Sequence, residues 1–272
     1  MCDVNNGLLP KGATKPNTHW EAQMKQLYIG CSGFSYDQWQ GTFYPAGISK
    51  SSWLAHYSTV FSSVELNVTF YRLLRQDTVE KWRRQTPSNF SFAVKGSRFI
   101  THVKRLREPA EPLERFFAAA LHLNNKLKVV LWQFPPSLAV NVERLASFLG
   151  LLAKYELRYA LEFRNKSWLT EDVYDLCRKH NTALCMADWP EFIDELPLTA
   201  DFVYLRRHGR CGDYAGCYTH EELQRDAGRI RRYLREGRDV FIYFNNDAFG
   251  FAPQNASELE QMLHDVGRFH RS

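Results

Sequence analysis

The chain has 272 residues, 44% hydrophobic and 24% charged, with 35 basic against 30 acidic side chains and a formal charge of +5. That balance excludes a disordered or collagen-like chain, and 14% aromatic residues can fill one large core. The apolar stretches, such as that around Phe148 to Ala153, fall well short of the ~18 residues a spanning helix needs, so no membrane partner is expected.

Residues 1–26 carry no apolar block and read as a flexible N-terminal tail rather than a secretory signal. From residue 27 onward, runs rich in β-branched and aromatic residues alternate with helical-period segments. The strand candidates are Leu27–Phe34, Val64–Tyr71, Phe90–Gly96, Val129–Pro135, Arg158–Arg164, Ala183–Asp188, Phe202–Gly209 and Val240–Asp247. The helix candidates between and after them are Ser49–Phe61, Asp77–Thr86, Leu113–Asn124, Asn141–Tyr155, Thr170–His180, Thr219–Glu236 and Ser257–Phe269. Thr219 with Glu222 and Ser257 with Glu260 fit capping boxes, and Asn141 fits an N-cap. Only Trp189 to Asp201, broken by Pro190 and Pro197, join the sixth and seventh strands, so the helix there is short or missing.

Leu27 to Asp247 spans 221 residues, roughly 28 per unit, which suits a single α/β domain over 27–272, a TIM-type (β/α)8 barrel. An open doubly wound sheet is the second architecture. No G-x-G-x-x-G or Walker glycine pattern follows any strand, which leaves no nucleotide cofactor motif. The cysteines are too sparse for a disulfide framework and form no C-x-x-C pair, consistent with a reducing cytoplasm.

In a barrel of this kind, function gathers at the carboxyl ends of the strands. Polar residues there share one parity: Glu65, Asn67, Thr69 and Tyr71; Lys95; Gln133; Glu162 and Arg164; Asp188; Tyr204, Arg206 and His208; Tyr243, Asn245 and Asp247. Charges on the inner face of a strand must pair or bind something. One reading is an internal ion-pair network, Glu162 with Arg206 and Glu65 with Lys95. The other is a site.

The runs YIGCSGFSYDQWQGTFYP, VELNVTFYR, FAVKGSRFITH, LWQFPPS, LEFRNKSW, ADWP, YLRRHG and YFNND, in that order from Tyr28 to Asp247, resemble the YecE-like family, catalogued as domain of unknown function number 72. The resemblance extends from about Leu27 to Leu263 and implies a TIM-type barrel without supplying a reaction. It makes the strand-end set from Glu65 to Asn245 a shared polar cluster, joined by His102 and Trp168. The loop holding Cys211 and Cys217 departs from the family pattern except around Tyr214 and Gly216.

Three chemistries follow. In the first, an acid/base hydrolase or isomerase, Glu65, Glu162, Asp188, Lys95 and His208 are the candidate catalytic groups. Asn67, Tyr71, His102, Gln133, Arg164, Trp168, Arg206 and Asn245 would bind the ligand. Trp39, Tyr71 and Trp168 would form stacking walls, and the arginines suit an anionic or polyhydroxylated small molecule.

The second is a metal-dependent phosphoesterase, since His102, His208, Glu65, Glu162, Asp188 and Asp247 are ligand types. No H-x-H or H-E-x-x-H pair supports it, and Lys95, Arg164 and Arg206 would compete with a divalent metal; the cofactor is therefore left unassigned. The third is a nucleic acid-binding module using His102–Arg107 and the Arg225, Arg229, Arg232 stripe, which neighbouring Glu and Asp residues dilute. A Cys31 or Ser32 nucleophile lacks an assignable partner, and only one of the two can face the site.

Overall fold

The computed structural model describes residues 25–188, 195–209 and 214–265. In chain order the elements are β1 (Leu27–Cys31), α1 (Trp53–Val60), β2 (Ser63–Leu66), α2 (Val68–Tyr71), α3 (Gln76–Gln85), β3 (Ser91–Lys95), α4 (Ala110–Ala120) and β4 (Leu127–Phe134). They continue with α5 (Val142–Leu152), β5 (Arg158–Phe163), α6 (Glu171–Lys179), β6 (Thr182–Ala187), β7 (Phe202–Arg207), α7 (His220–Arg235), β8 (Asp239–Phe244) and α8 (Phe251–Asp265). All paired strands are parallel, in the order β1-β8-β7-β6-β5-β4-β3-β2. The first and last strands of that order meet through a parallel bridge between Ser32 and Glu65, which makes the sheet a nearly closed α/β TIM-type barrel.

Each predicted strand run forms a strand, shorter at its carboxyl end than the sequence suggests. The largest departure is β2. Val68–Tyr71 is rich in β-branched and aromatic residues yet forms a helical turn, because Asn67 takes right-handed helical angles (φ −90°, ψ −20°) and ends the strand. Thr69 then turns inward, its hydroxyl donating to the carbonyls of Leu66 and Lys95, while Tyr71 is 73% exposed.

The last helix starts six residues earlier than predicted. Pro253 sits in its first turn, where a missing N–H costs nothing, so the Ser257 capping box is not its start. The Thr219 capping box and the Asn141 N-cap are both formed. Residues 195–201 contain no helix; 189–194 lie outside the described residues, as does most of the expected tail. Gln26 is nevertheless docked, its N–H donating to Asp239 Oδ1 at 2.8 Å.

Two layers of apolar packing hold the barrel. The inner one sets small residues from β3, β5 and β6 (Ala93, Ala160, Ala183, Ala187) against Phe202, Tyr204, Phe241 and Tyr243 from β7 and β8. The outer one fills the space between strands and helices with residues such as Trp53, Trp132 and Phe148.

The β1–β2 seam relies on a side chain. The Tyr57 hydroxyl accepts from the Cys31 N–H at 2.8 Å and donates to the Ser63 carbonyl at 2.9 Å, joining two strands below their single bridge. Gly30 permits the approach, since a Cβ there would lie 2.0 Å from the Ser63 oxygen. Tyr57→Phe leaves both buried backbone groups without that partner. It is expected to destabilise the fold by about 2–4 kcal/mol in urea titration.

A buried ion network at the barrel mouth, the candidate active site

The inner-face parity that carries Ala93, Ala160, Tyr204 and Tyr243 continues upward into Lys95, Glu162 and Arg164, Arg206 and His208, and Asn245. Apolar filling therefore gives way to charge at one level of the barrel. At its centre is Arg206, 1% exposed. Its Nη2 donates to Glu65 Oε1 at 2.9 Å and its Nη1 to Glu162 Oε2 at 2.8 Å, so one guanidinium spans carboxylates from β2 and β5. Arg164 adds a second cation on Glu162, with Nε donating to Oε1 at 2.5 Å.

Glu65 is saturated: it also accepts from the Ser32 and Tyr204 hydroxyls, each at 2.5 Å. Ser32, not Cys31, faces the site; Cys31 is wholly buried, and burial pushes its thiol pKa well up. The predicted Glu162–Arg206 pair is present. Glu65, expected to pair with Lys95, pairs with Arg206 instead.

His208 lies between the two arginines and Asp188. Its Nε2 is 3.1 Å from Arg206 Nη1 and 3.2 Å from Arg164 Nη2, both obligate donors, so Nε2 accepts and the ring is neutral with its proton on Nδ1. Nδ1 faces Asp188 Oδ1 at 3.4 Å. Burial, then the Arg206 charge, lowers the His208 pKa in agreement with that tautomer. Asp188 also accepts the His208 backbone N–H at 2.8 Å and the Tyr218 hydroxyl. Burial opposes its ionisation, but these hydrogen bonds and Arg207 prevail and hold its pKa below the usual value.

Lys95 completes the mouth on the β3 side. Its ammonium lies over the Phe70 ring, 4.3 Å from the centroid, and no carboxylate is within ion-pair distance among the described residues. Burial first, then the charge of Arg206, pushes its pKa down to about 7. His102 is half-buried in a short π-helical turn, Phe99–Val103, edge-on to the same Phe70 ring at 5.0 Å. Burial and Lys95 pull its pKa down to about 4. Gln133, in register with Glu162, and Asn245 are half-buried on the inner face. Asn67 donates its amide to the Ser32 carbonyl at 3.1 Å.

Neither tryptophan expected to wall the mouth is accessible there. Trp168 is 1% exposed, stacks on Phe163 at 5.0 Å and donates its indole N–H to the Leu138 carbonyl at 2.7 Å; it supports the rim from below and offers no stacking wall. Trp39 is equally buried, donating to the Asp247 carbonyl at 3.0 Å. Tyr71 is exposed and meets the Phe70 ring edge-on at 5.0 Å. Exposed aromatics in the segments after the strands include Phe99, Phe249 and Tyr214, the last two with left-handed backbone (φ 58° and 64°). No sequence pattern marks a bulky residue for that conformation.

Asp247 closes the β8 side of the mouth. It is largely desolvated beside Tyr36, and burial raises its pKa to about 6. Glu162 is held ionised: burial resists its charge, but Arg164 and Arg206 outweigh burial and keep the carboxyl far below the usual range.

The remaining basic runs are partly paired. Lys104 pairs with Glu108, and Arg105 donates to Ser137. Arg225, Arg229 and Arg232 line a cavity of about 700 Å³ that also holds Asp188, Glu195, Glu222 and Asp226. Cys211 lies outside the described residues; Cys31, Cys177, Cys185 and Cys217 are free thiols.

A family model described as a protein of unknown function, DUF72, matches residues 28–271. The chain belongs to the DUF72 family. Among its relatives, the UPF0759 protein YunF of Bacillus subtilis is 27% identical over 270 residues, covering 87% of this chain and 94% of that one. The UPF0759 protein YecE of Escherichia coli is 27% identical over 146 residues, 53% of this chain and 51% of that one. A DUF72 crystal structure from Thermotoga maritima superposes with a TM-score of 0.77 at 32% identity, covering 88% of this chain and 99% of that one. A D-psicose 3-epimerase, at TM-score 0.51 and 12% identity over 91% of this chain and 98% of that one, shares the barrel fold alone.

Because the Glu162 pKa is depressed in the fold, its contribution to stability is present above its unfolded value of about 4.5 and is lost as pH falls below that value. Urea midpoints measured from pH 6 down to about pH 2 should therefore fall. Glu162→Gln should flatten that decline, and Arg206→Met, which leaves buried Glu65 without a cation and Glu162 with Arg164 alone, should cost about 3–5 kcal/mol at neutral pH.

Proposed function

We propose that this protein is an enzyme that moves a proton on an anionic or polyhydroxylated small molecule at the barrel mouth. Lys95 is the base in this reading. The observation that carries it is the Lys95 amine, buried beside cations, without a carboxylate partner among the described residues and with a pKa near 7. An amine in that state is about half unprotonated at neutral pH, against well under ~0.1% of an ordinary lysine. Structural lysines are normally kept charged by a partner; a partnerless amine poised at working pH is suited to accepting a proton.

The rest of the mouth fits the same chemistry. Asp247, with its pKa near 6, retains a protonated fraction at neutral pH and can return a proton from the β8 side. The Arg164–Arg206 pair, fixed by its carboxylates, supplies positive potential for charge developing on a substrate oxygen. Glu65 and Glu162 thus move from acid/base roles to positioning ones, orienting the guanidinium groups. His102 adds a neutral imidazole at the edge.

This reading takes no divalent ion, since the guanidinium groups already occupy the two glutamates. Among the described residues no group of three metal-binding side chains is arranged to hold one. The free thiols favour a reducing, cytoplasmic setting, and no described helix is long and apolar enough to cross a membrane.

Two measurements test this. Carbamylation by cyanate at limiting dose, mapped by mass spectrometry, should modify Lys95 with an apparent pKa near 7, where surface lysines follow about 10. A screen of hydroxy acids and sugar phosphates for carbon-bound deuterium uptake from D2O should find a substrate whose exchange falls at least about 100-fold in Lys95→Met. Its pH profile should be bell-shaped, with limbs near 6 and 7. Labelling of Lys95 with a pKa above about 9, or exchange at the wild-type rate in Lys95→Met, removes the proposal.

A further inference from the structure

A groove of about 680 Å³ opens on the flank of the barrel, between the start of α1 and α3, under the Gly33–Tyr36 loop. That volume lies within the ~300–1,000 Å³ typical of small-molecule sites. Its floor is apolar and aromatic: Leu54 is buried, Trp82 half-buried, and the Phe34 ring meets Trp82 edge-on at 6.1 Å between centroids. Its rim is cationic. Lys50, Arg72, Arg75 and Lys81 line it, exposed, against the lone lining carboxylate of Asp77.

Partnering separates these cations. Lys50 is paired with Asp37, and Arg75 lies 3.6 Å from Asp77. Arg72 and Lys81 have no carboxylate within 4.0 Å among the described residues. A run of charge on a convex helix face is ordinarily just solvated. Here two uncompensated cations rim a concave aromatic floor on which Trp82 is only half-buried.

We infer that this groove binds an aromatic anion: a flat apolar ring held against Trp82 and Phe34, carrying a phosphate or carboxylate that reaches Arg72 and Lys81. The ring replaces water over the indole, and the anionic oxygens accept from the guanidinium and ammonium groups. The groove adjoins the mouth, with Asn67 and Tyr36 in its wall, but Lys95, Arg164 and Arg206 do not line it. The α2 turn divides them, with Val68 on the groove side and Phe70 beneath the Lys95 amine. The Lys95 amine makes no contact with the groove, so binding there does not require that amine.

Phenyl phosphate, inorganic phosphate and benzyl alcohol separate the ring from the charge. Titrated into the full chain by calorimetry, phenyl phosphate should bind at least about 10-fold more tightly than either fragment and should shift the Trp82 indole resonance. Arg72→Gln combined with Lys81→Gln, both surface changes, should weaken it by about 10-fold, while Lys95→Met should leave it unchanged.

Phenyl phosphate binding no more tightly than inorganic phosphate would overturn the inference, as would wild-type affinity in the double variant. Loss of binding in Lys95→Met would place the ligand in the mouth, which defeats this inference and leaves the proton-transfer reading standing. Retained groove binding with no deuterium exchange for any substrate would do the reverse.

Discussion

A single guanidinium buried on the barrel axis sets the terms for the rest of this molecule. Arg206 reaches Glu65 on one side and Glu162 on the other, at a level where water is excluded. Removing a charge from water to that depth costs several kcal/mol, and only near-complete hydrogen bonding offsets it. The surrounding residues follow from that demand. Ser32 and Tyr204 complete Glu65, Arg164 completes Glu162, and His208 is forced neutral because two cations point at one of its nitrogens. Such a network contributes little net stability compared with an apolar plug of the same volume. What it provides is a fixed electrostatic field at the top of an otherwise apolar barrel.

That field explains why nearby groups differ so much in character. Lys95 and His102 are pushed toward neutrality by burial and by neighbouring cations, whereas Glu162 is locked in its charged form. The amine at this level therefore loses its ordinary fixed charge, while the carboxylate keeps its own more firmly. The flank groove differs again, being cationic, open to solvent and floored by aromatic side chains. The barrel thus presents two adjoining environments, at its mouth and on its flank, on either side of one helical turn, α2.

Much of this was legible in the sequence. Period-two patterning placed Lys95, Gln133, Glu162, Arg206, His208 and Asn245 on one inner face, because strand parity survives uncertainty about where strands end. Caps at Asn141 and Thr219 were legible because local hydrogen bonds decide them. Strand ends were not. Val68–Tyr71 has every local preference of a strand, and packing against β3 converts it to a helix that redirects Tyr71. Nor could composition separate a tryptophan on a wall from one beneath it: Trp39 and Trp168 are held by indole hydrogen bonds to distant carbonyls. The pKa of Lys95 was equally invisible, since it depends on which cations share its pocket.

The seam between β1 and β2 bears on how the barrel carries load. Elsewhere neighbouring strands are laced by rows of backbone hydrogen bonds, whereas here the Tyr57 hydroxyl and the Ser32–Glu65 contact fasten the join. In mechanical terms the barrel is a hoop with a bolted joint, and the upper bolt is itself part of the ion network. Stress that parts the hoop at this joint acts directly on Glu65, so the charge at the mouth and the closure of the wall share one fastening.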